Sequence, residues 1–163
     1  MPRLSVEDID LYVRPCEEGD VETITPNIRV SDVIEIAAMM GPHKTTQEHL
    51  QSCIEQSKET YALVYNKKII SLWGVSNCHH VTNFGVPWLI GTDDISEVSR
   101  KFIRHSVGWI KHLSKDYEAL YNFVHVPHWQ SQKWLQLCGF NIVNKYKYGF
   151  NGEDFYLFIK ECA

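Results

Sequence analysis

Eight histidines and five cysteines carry most of this chain's capacity for chemistry near neutral pH. Cys78-His79-His80 falls in a polar stretch between two strand candidates, and His125 and His128 bracket the end of a later one. Zinc needs three or four such ligands in a tetrahedral array. The loop before one parallel strand can approach the end of its neighbour, which would bring the two groups together. The spacing matches no zinc pattern, however, and no metal is expected. A histidine can exchange a proton near neutrality because imidazole titrates there; His128 could equally be a surface residue at a helix start. Cys16, Cys53, Cys78, Cys138 and Cys162 are odd in number and lack a CxxC spacing. They read as reduced thiols rather than as a disulfide framework.

These residues must be held by the elements around them. A strand is expected over Asp10–Pro15, closed by the acidic turn Glu17–Asp20. A helix over Ser31–Met40 has Ser31 or Asp32 as its cap and Gly41-Pro42 as its stop. Thr45 and Glu48 form a capping box for a second helix reaching about Ser57. Tyr61–Tyr65 and Lys68–Val75 make a hairpin across Asn66-Lys67, and Val86–Ile90 follows as a third strand. The long helix from about Ile95 to Asp116 repeats Val98, Phe102, Trp109, Ile110 and Leu113 at helical steps. Its Arg100, Lys101, Arg104, Lys111 and Lys115 form a basic solvated face. A strand Ala119–Val126, a short helix His128–Cys138 and a closing pair, Phe140–Val143 with Phe155–Ile159, complete the order β-α-α-β-β-β-α-β-α-β-β. Hairpins combined with a strand-helix-strand crossover require a mixed sheet with helices on its faces, an α/β (α+β mixed) fold. The pattern leaves open whether Trp129, at a helix start, is buried; exposed, it would suit a protein partner.

Composition narrows the function classes. The 163 residues are 44% hydrophobic and 12% aromatic, enough for one domain over residues 1–163 with a true core. A net charge of −4 lacks the basic excess of a duplex binder, so no nucleic-acid partner is expected. No apolar run is long enough to span a bilayer. The acidic opening residues do not read as a secretory signal.

The element order resembles the GNAT (Gcn5-related N-acetyltransferase) superfamily. The resemblance is sharpest over Val124–Phe140, where a strand end is followed by a helix with a small residue, Ser131, three positions on and a closing Gly139-Phe140. Pro87–Ile90, the long basic helix, Tyr117–Val124 and Gly152–Phe158 are further similar to the GNAT-like internal virion proteins of short-tailed bacteriophages. That resemblance implies a protein acting in the virion or its assembly through phage or host proteins, non-enzymatic or weakly active, in the particle or the host cytoplasm. The alternative it implies is an acetyl-CoA-dependent N-acetyltransferase modifying a host protein or small amine.

For acetyl-CoA the resemblance designates Ile90, Gly91, Thr92, Ser96, Ser99, His128 and Ser131 as the binding set, with His128, at the family's Asn position, as the catalytic candidate. The family's pyrophosphate loop is glycine-rich; here Gly91-Thr92-Asp93-Asp94-Ile95-Ser96 has one glycine and two carboxylates. Asp93 and Asp94 read as helix caps that compete with a phosphate for the same N–H groups, so any CoA binding is expected to be weaker than ~10 µM. The family's tyrosine acid is replaced by Leu135, with Tyr121, Tyr146 and Tyr148 as possible substitutes. Ser71–Gly74 and Val86–Ile90 contain no carboxylate to serve as base. The fold also implies that the strand ending near Ile90 diverges from the one ending near Val126.

Overall fold

The computed structural model describes residues 11–162. Asp10 and the acidic opening residues lie outside them. Twelve elements follow one another: β1 (Leu11–Pro15), α1 (Asp20–Ile24), α2 (Val30–Met40), α3 (Thr46–Glu55), β2 (Ser57–Tyr65), β3 (Lys68–Asn77), β4 (Phe84–Gly91), α4 (Ser99–Ser114), β5 (Ala119–His125), α5 (Trp129–Leu137), β6 (Asn141–Tyr148) and β7 (Glu153–Glu161). Short 3-10 turns occupy Thr25–Asn27, Gly41–His43 and Asp93–Val98. The seven strands form one mixed sheet in the order β1-β2-β3-β4-β5-β7-β6, as the α/β pattern requires. Only β4 and β5 run parallel.

That parallel contact is short. Phe84 pairs with Ala119 and Gly85 with Leu120, and there the pairing ends. β4 continues to Gly91 against β3, while β5 continues to His125 against β7. The sheet therefore splays where the family resemblance placed the divergence. Helices α4 and α5 share one face, whose core includes Phe102, Trp109, Ile110, Leu120, Val124, Leu135 and Phe158. The other face packs Val21, Ile24, Ile36 and Leu50 of α1–α3 on Ala62, Leu72, Trp88 and Ile90.

The differences from expectation have local causes. The expected acidic turn runs on into α1 at Asp20, whose buried carboxylate accepts two hydrogen bonds from Arg14 at 2.8 and 2.9 Å. Neither Ser31 nor Asp32 caps α2. Arg29 is the capping residue without a side-chain cap, and Asp32 faces the splay instead. Thr45 and Glu48 do form both halves of the capping box. Asn66 and Lys67 both take positive φ, 50° and 66°, the primed geometry that suits a two-residue hairpin. The long helix begins as a 3-10 turn and becomes α-helical only at Ser99. Strand β6 runs on to Tyr148, held by β7, although its whole length is exposed. The five basic residues of α4 and the loop after it are exposed.

Candidate functional site at the splay of the sheet

Helix α2 lies across the mouth of the splay and ties its two sides together. At its start the Arg29 N–H donates to the Gly91 carbonyl at 2.9 Å, and the Gly91 N–H donates to Asp32 Oδ2 at 2.9 Å. Asp32 Oδ2 also accepts from Arg29 Nε at 2.8 Å. On the opposite side His128 Nε2 donates to Asp32 Oδ1 at 2.5 Å. One turn along, Glu35 Oε2 accepts from the His125 N–H at the end of β5, at 3.0 Å. The C-terminal turn of α2 receives the β6–β7 hairpin, with the Phe150 N–H donating to the Met39 carbonyl at 2.8 Å.

The two carboxylates of α2 sit in different electrostatic settings. Burial opposes charge on Asp32, yet the hydrogen bond from His128 and the nearby Arg29 guanidinium overcome it and hold the carboxyl below its ordinary range. Glu35 is half-buried and has one hydrogen-bond donor. Burial pushes its carboxyl up to about 7, against a lowering by the His128 ring and the His125 N–H. Asp32 is thus the permanent anion and Glu35 the group able to exchange a proton near neutrality. Both were read from sequence only as a cap and a helix residue. The available signal was their spacing: the only two charged residues of α2 stand three apart, on one face.

His128 is 1% exposed. Its Nδ1 accepts from the Ser131 N–H at 3.5 Å as the N-cap of α5, and its Nε2 is given to Asp32. Each ring nitrogen already has a partner, and His128 is absent from the cavity wall described below. The structure places the proton-transfer candidate between α2 and α5, with both ring nitrogens engaged. His125 likewise donates from Nε2 to Glu153 Oε1 at 2.9 Å. Cys78 Sγ lies 3.0 Å from the Tyr121 hydroxyl. Among the described residues no three His, Cys, Asp or Glu side chains converge on a metal-sized site.

On the α4–α5 face a cavity of about 390 Å³ opens at the splay. Thr92, Ser96 and Ser99 line it from the β4 side and Ser131 from α5, over an apolar floor that includes Leu89, Phe102 and Trp134. Four of the seven residues expected to hold the cofactor therefore share one wall. Ile90 does not: it is buried against α1–α3. Gly91 and His128 are taken up by Asp32. Asp93 lines the cavity, but Asp94 does not, and Arg29 and Lys133 bring two cations to the same space. The cap is Thr92, whose Oγ1 accepts from the Asp94 N–H at 3.3 Å, so the two aspartates are not the caps the sequence suggested. Trp129 stands 63% exposed at the rim. Leu135 is 1% exposed in the core and offers no proton. Tyr121, Tyr146 and Tyr148 lie on β5 and β6, outside the cavity.

An acetyl-CoA arm also needs backbone partners. The alternation that turns the Gly91 N–H and carbonyl into the splay turns those of Leu89 there too, and no described group hydrogen-bonds them. An open donor and acceptor on a strand edge suit an amide-bearing chain. The residues present fit the cofactor.

No known sequence family matches the chain, and no curated protein matches it. Solved structures do. A GCN5-related N-acetyltransferase from Kribbella flavida is 15% identical, with a TM-score of 0.68 over 94% of this chain and 98% of its own. Spermidine N-acetyltransferase from Vibrio cholerae, in complex with CoA and spermine, is 14% identical, with 0.66 over 94% and 96%. Ribosomal-protein-S5-alanine acetyltransferase from Vibrio fischeri is 17% identical, with 0.66 over 99% and 97%. At such identities the likeness is one of fold.

Proposed function

We propose that this chain, which has the GNAT fold, is an acetyl-CoA-dependent N-acetyltransferase. The observation that carries the proposal is the splay itself: an open β4 edge at Leu89, a serine-lined cavity on one face and a proton-exchanging carboxyl, Glu35, on the other. Acetyl-CoA, when bound, supplies the acetyl group as an activated thioester. The Leu89 N–H and carbonyl would receive its amide-bearing arm, and Ser99 and Ser131 would donate to its oxygens, the Ser96 hydroxyl being already given to the Asp93 carbonyl. Arg29 and Lys133 offset the charge of Asp93 toward the phosphates. Glu35 would accept the proton that an ammonium must lose before its nitrogen can attack. Asp32, pinned by Arg29, Gly91 and His128, holds α2 so that Glu35 stays at the mouth of the gap.

The virion role implied by the phage resemblance finds no support among these fold neighbours, and no residue of the site calls for it. No described helix is long and apolar enough to cross a membrane.

Calorimetry with acetyl-CoA tests the proposal. Binding weaker than ~10 µM is expected, tightened severalfold in Asp93→Ala/Asp94→Ala because negative charge leaves the site of a polyanion. Glu35→Gln should keep that binding and lower amine acetylation by about 10²-fold or more at neutral pH. No acetyl-CoA binding by either the parent or the double variant overturns the proposal.

A further inference from the structure

Helix α2 turns its charge inward and apolar side chains outward. Asp32 and Glu35, its only charged residues, face the splay, and Ile36 and Ala38 are buried. The opposite face carries Val30, Val33, Ile34 and Ala37, spaced at steps of three and four and all exposed. Val30 is 70% and Ile34 51% exposed. A helix on the surface of a domain ordinarily shows solvent a charged face; a helix apolar on all sides is one that something covers on all sides. The stripe has an aromatic side chain at each end. At the N-terminal end stands the exposed Trp129, next to the His128 that bonds Asp32 and on one cavity wall with Arg29. At the C-terminal end Phe150, 54% exposed, gives its N–H to the Met39 carbonyl, and a Cβ on Gly41 would strike its ring.

These six residues expose about 600 Å² of apolar surface, given the size of aliphatic and aromatic side chains. That is the top of the range for a patch left on a monomer. With a polar rim it approaches the ~800 Å² that each partner contributes to a stable interface. Two properties of the stripe select the partner. It bears no charge, so a second copy of the same stripe meets no like-charge repulsion. A two-fold axis through its centre, between Val33 and Ile34, also sets two such helices antiparallel. The positive N-terminal end of each then lies beside the negative C-terminal end of the other, an attractive arrangement of helix dipoles.

We infer that the outer face of α2 is the interface of a two-fold homodimer, in which each copy covers the other's apolar stripe. Val33 then meets the partner's Ile34, Val30 meets the partner's Ala37, and Trp129 comes beside the partner's Phe150. The inference stands apart from the acetyltransferase proposal and is tested without acetyl-CoA. Sedimentation velocity of the whole chain, from about 1 to 100 µM, should show a monomer–dimer equilibrium and no larger species. Val33→Glu and Ile34→Lys should each weaken the dimer at least about tenfold, because each would bury a charge against apolar side chains. Both positions are exposed in the single chain, so circular dichroism should show the fold of each variant unchanged. Mixed in equal amounts, the two variants should recover the dimer. The new carboxylate and the new ammonium then face each other across the axis, while the second Val33–Ile34 contact stays native. A parent that remains monomeric at the highest concentration leaves the stripe to a different protein and overturns the inference. So does a dimer that survives both single changes, or a pair of folded variants that fails to recover it on mixing. Association that runs on past the dimer overturns it too, because a two-fold contact closes on itself.

Discussion

Asp32 is the residue on which the site turns. Its two oxygens take three hydrogen bonds, from a backbone amide of β4, from its own helix neighbour Arg29 and from the N-cap of α5. It is 1% exposed. A buried carboxylate of this kind contributes little net stability over a well-packed apolar residue, but its removal strands its partners. Asp32→Ala leaves a guanidinium and a buried imidazole N–H without their acceptor, and a loss of about 3–5 kcal/mol in denaturant unfolding is expected. A loss below about 1 kcal/mol would mean that Asp32 does not pin the splay. The same bonds fix His128 between α2 and α5.

At the scale of elements, α2 is a strut between strands that have parted. Its start is bonded to β4, its middle to the end of β5 and its last turn to the β6–β7 hairpin. The last contact depends on a glycine. Gly149 has φ +77°, and a Cβ there would meet the Met39 Cα at 2.8 Å and the Ala38 carbonyl at 2.9 Å. These are backbone atoms that cannot swing aside. Gly152, in the same turn, has φ +62° and open space around it. Gly149→Ala should therefore cost more than Gly152→Ala, which pays only the left-handed backbone penalty of about 1–2 kcal/mol. Comparing the two unfolding midpoints checks this. Equal costs would show that the hairpin does not depend on seating against α2.

For the whole molecule, Glu35 links the site to the pH dependence of folding. Its folded-state carboxyl is raised from the ordinary 4.5 to about 7, so the folded chain holds this proton where the unfolded chain has released it. Below about pH 4.5 both states are protonated and Glu35 costs nothing. Stability then declines as pH rises toward 7 and levels off above it. Asp32 acts in the opposite sense: its contribution is present above its unfolded pKa near 3.8 and is lost as pH falls through the lower folded value. Glu35→Gln replaces the carboxyl with a neutral group of similar shape. It should remove the decline between pH 5 and 7, leaving the variant more stable than the parent at pH 8 by about 1–3 kcal/mol, with solvent near the half-buried group reducing the effect. Parallel stability curves for the two proteins would place Glu35 in water rather than at a buried mouth.

The place where the sheet parts came from the family resemblance, whereas the element order apart from α1, the capping box at Thr45, the turn at Asn66-Lys67 and the basic face of α4 were legible in the amino-acid sequence itself. Each depends on residues close together in the chain, or on the rule that parallel neighbours need a crossover. The acidic pieces of the site were not legible. Asp32 looks like a cap because caps and buried carboxylates use the same residue types, and only the tertiary structure sets it 96 positions away from His128 in sequence and within hydrogen-bonding distance in space. The long extent of β6 escaped notice because an exposed edge strand has no apolar alternation to announce it. The role of Glu35 depends on burial at a junction of α2 and β5. Burial is a property of what packs around a residue, which no local spacing encodes.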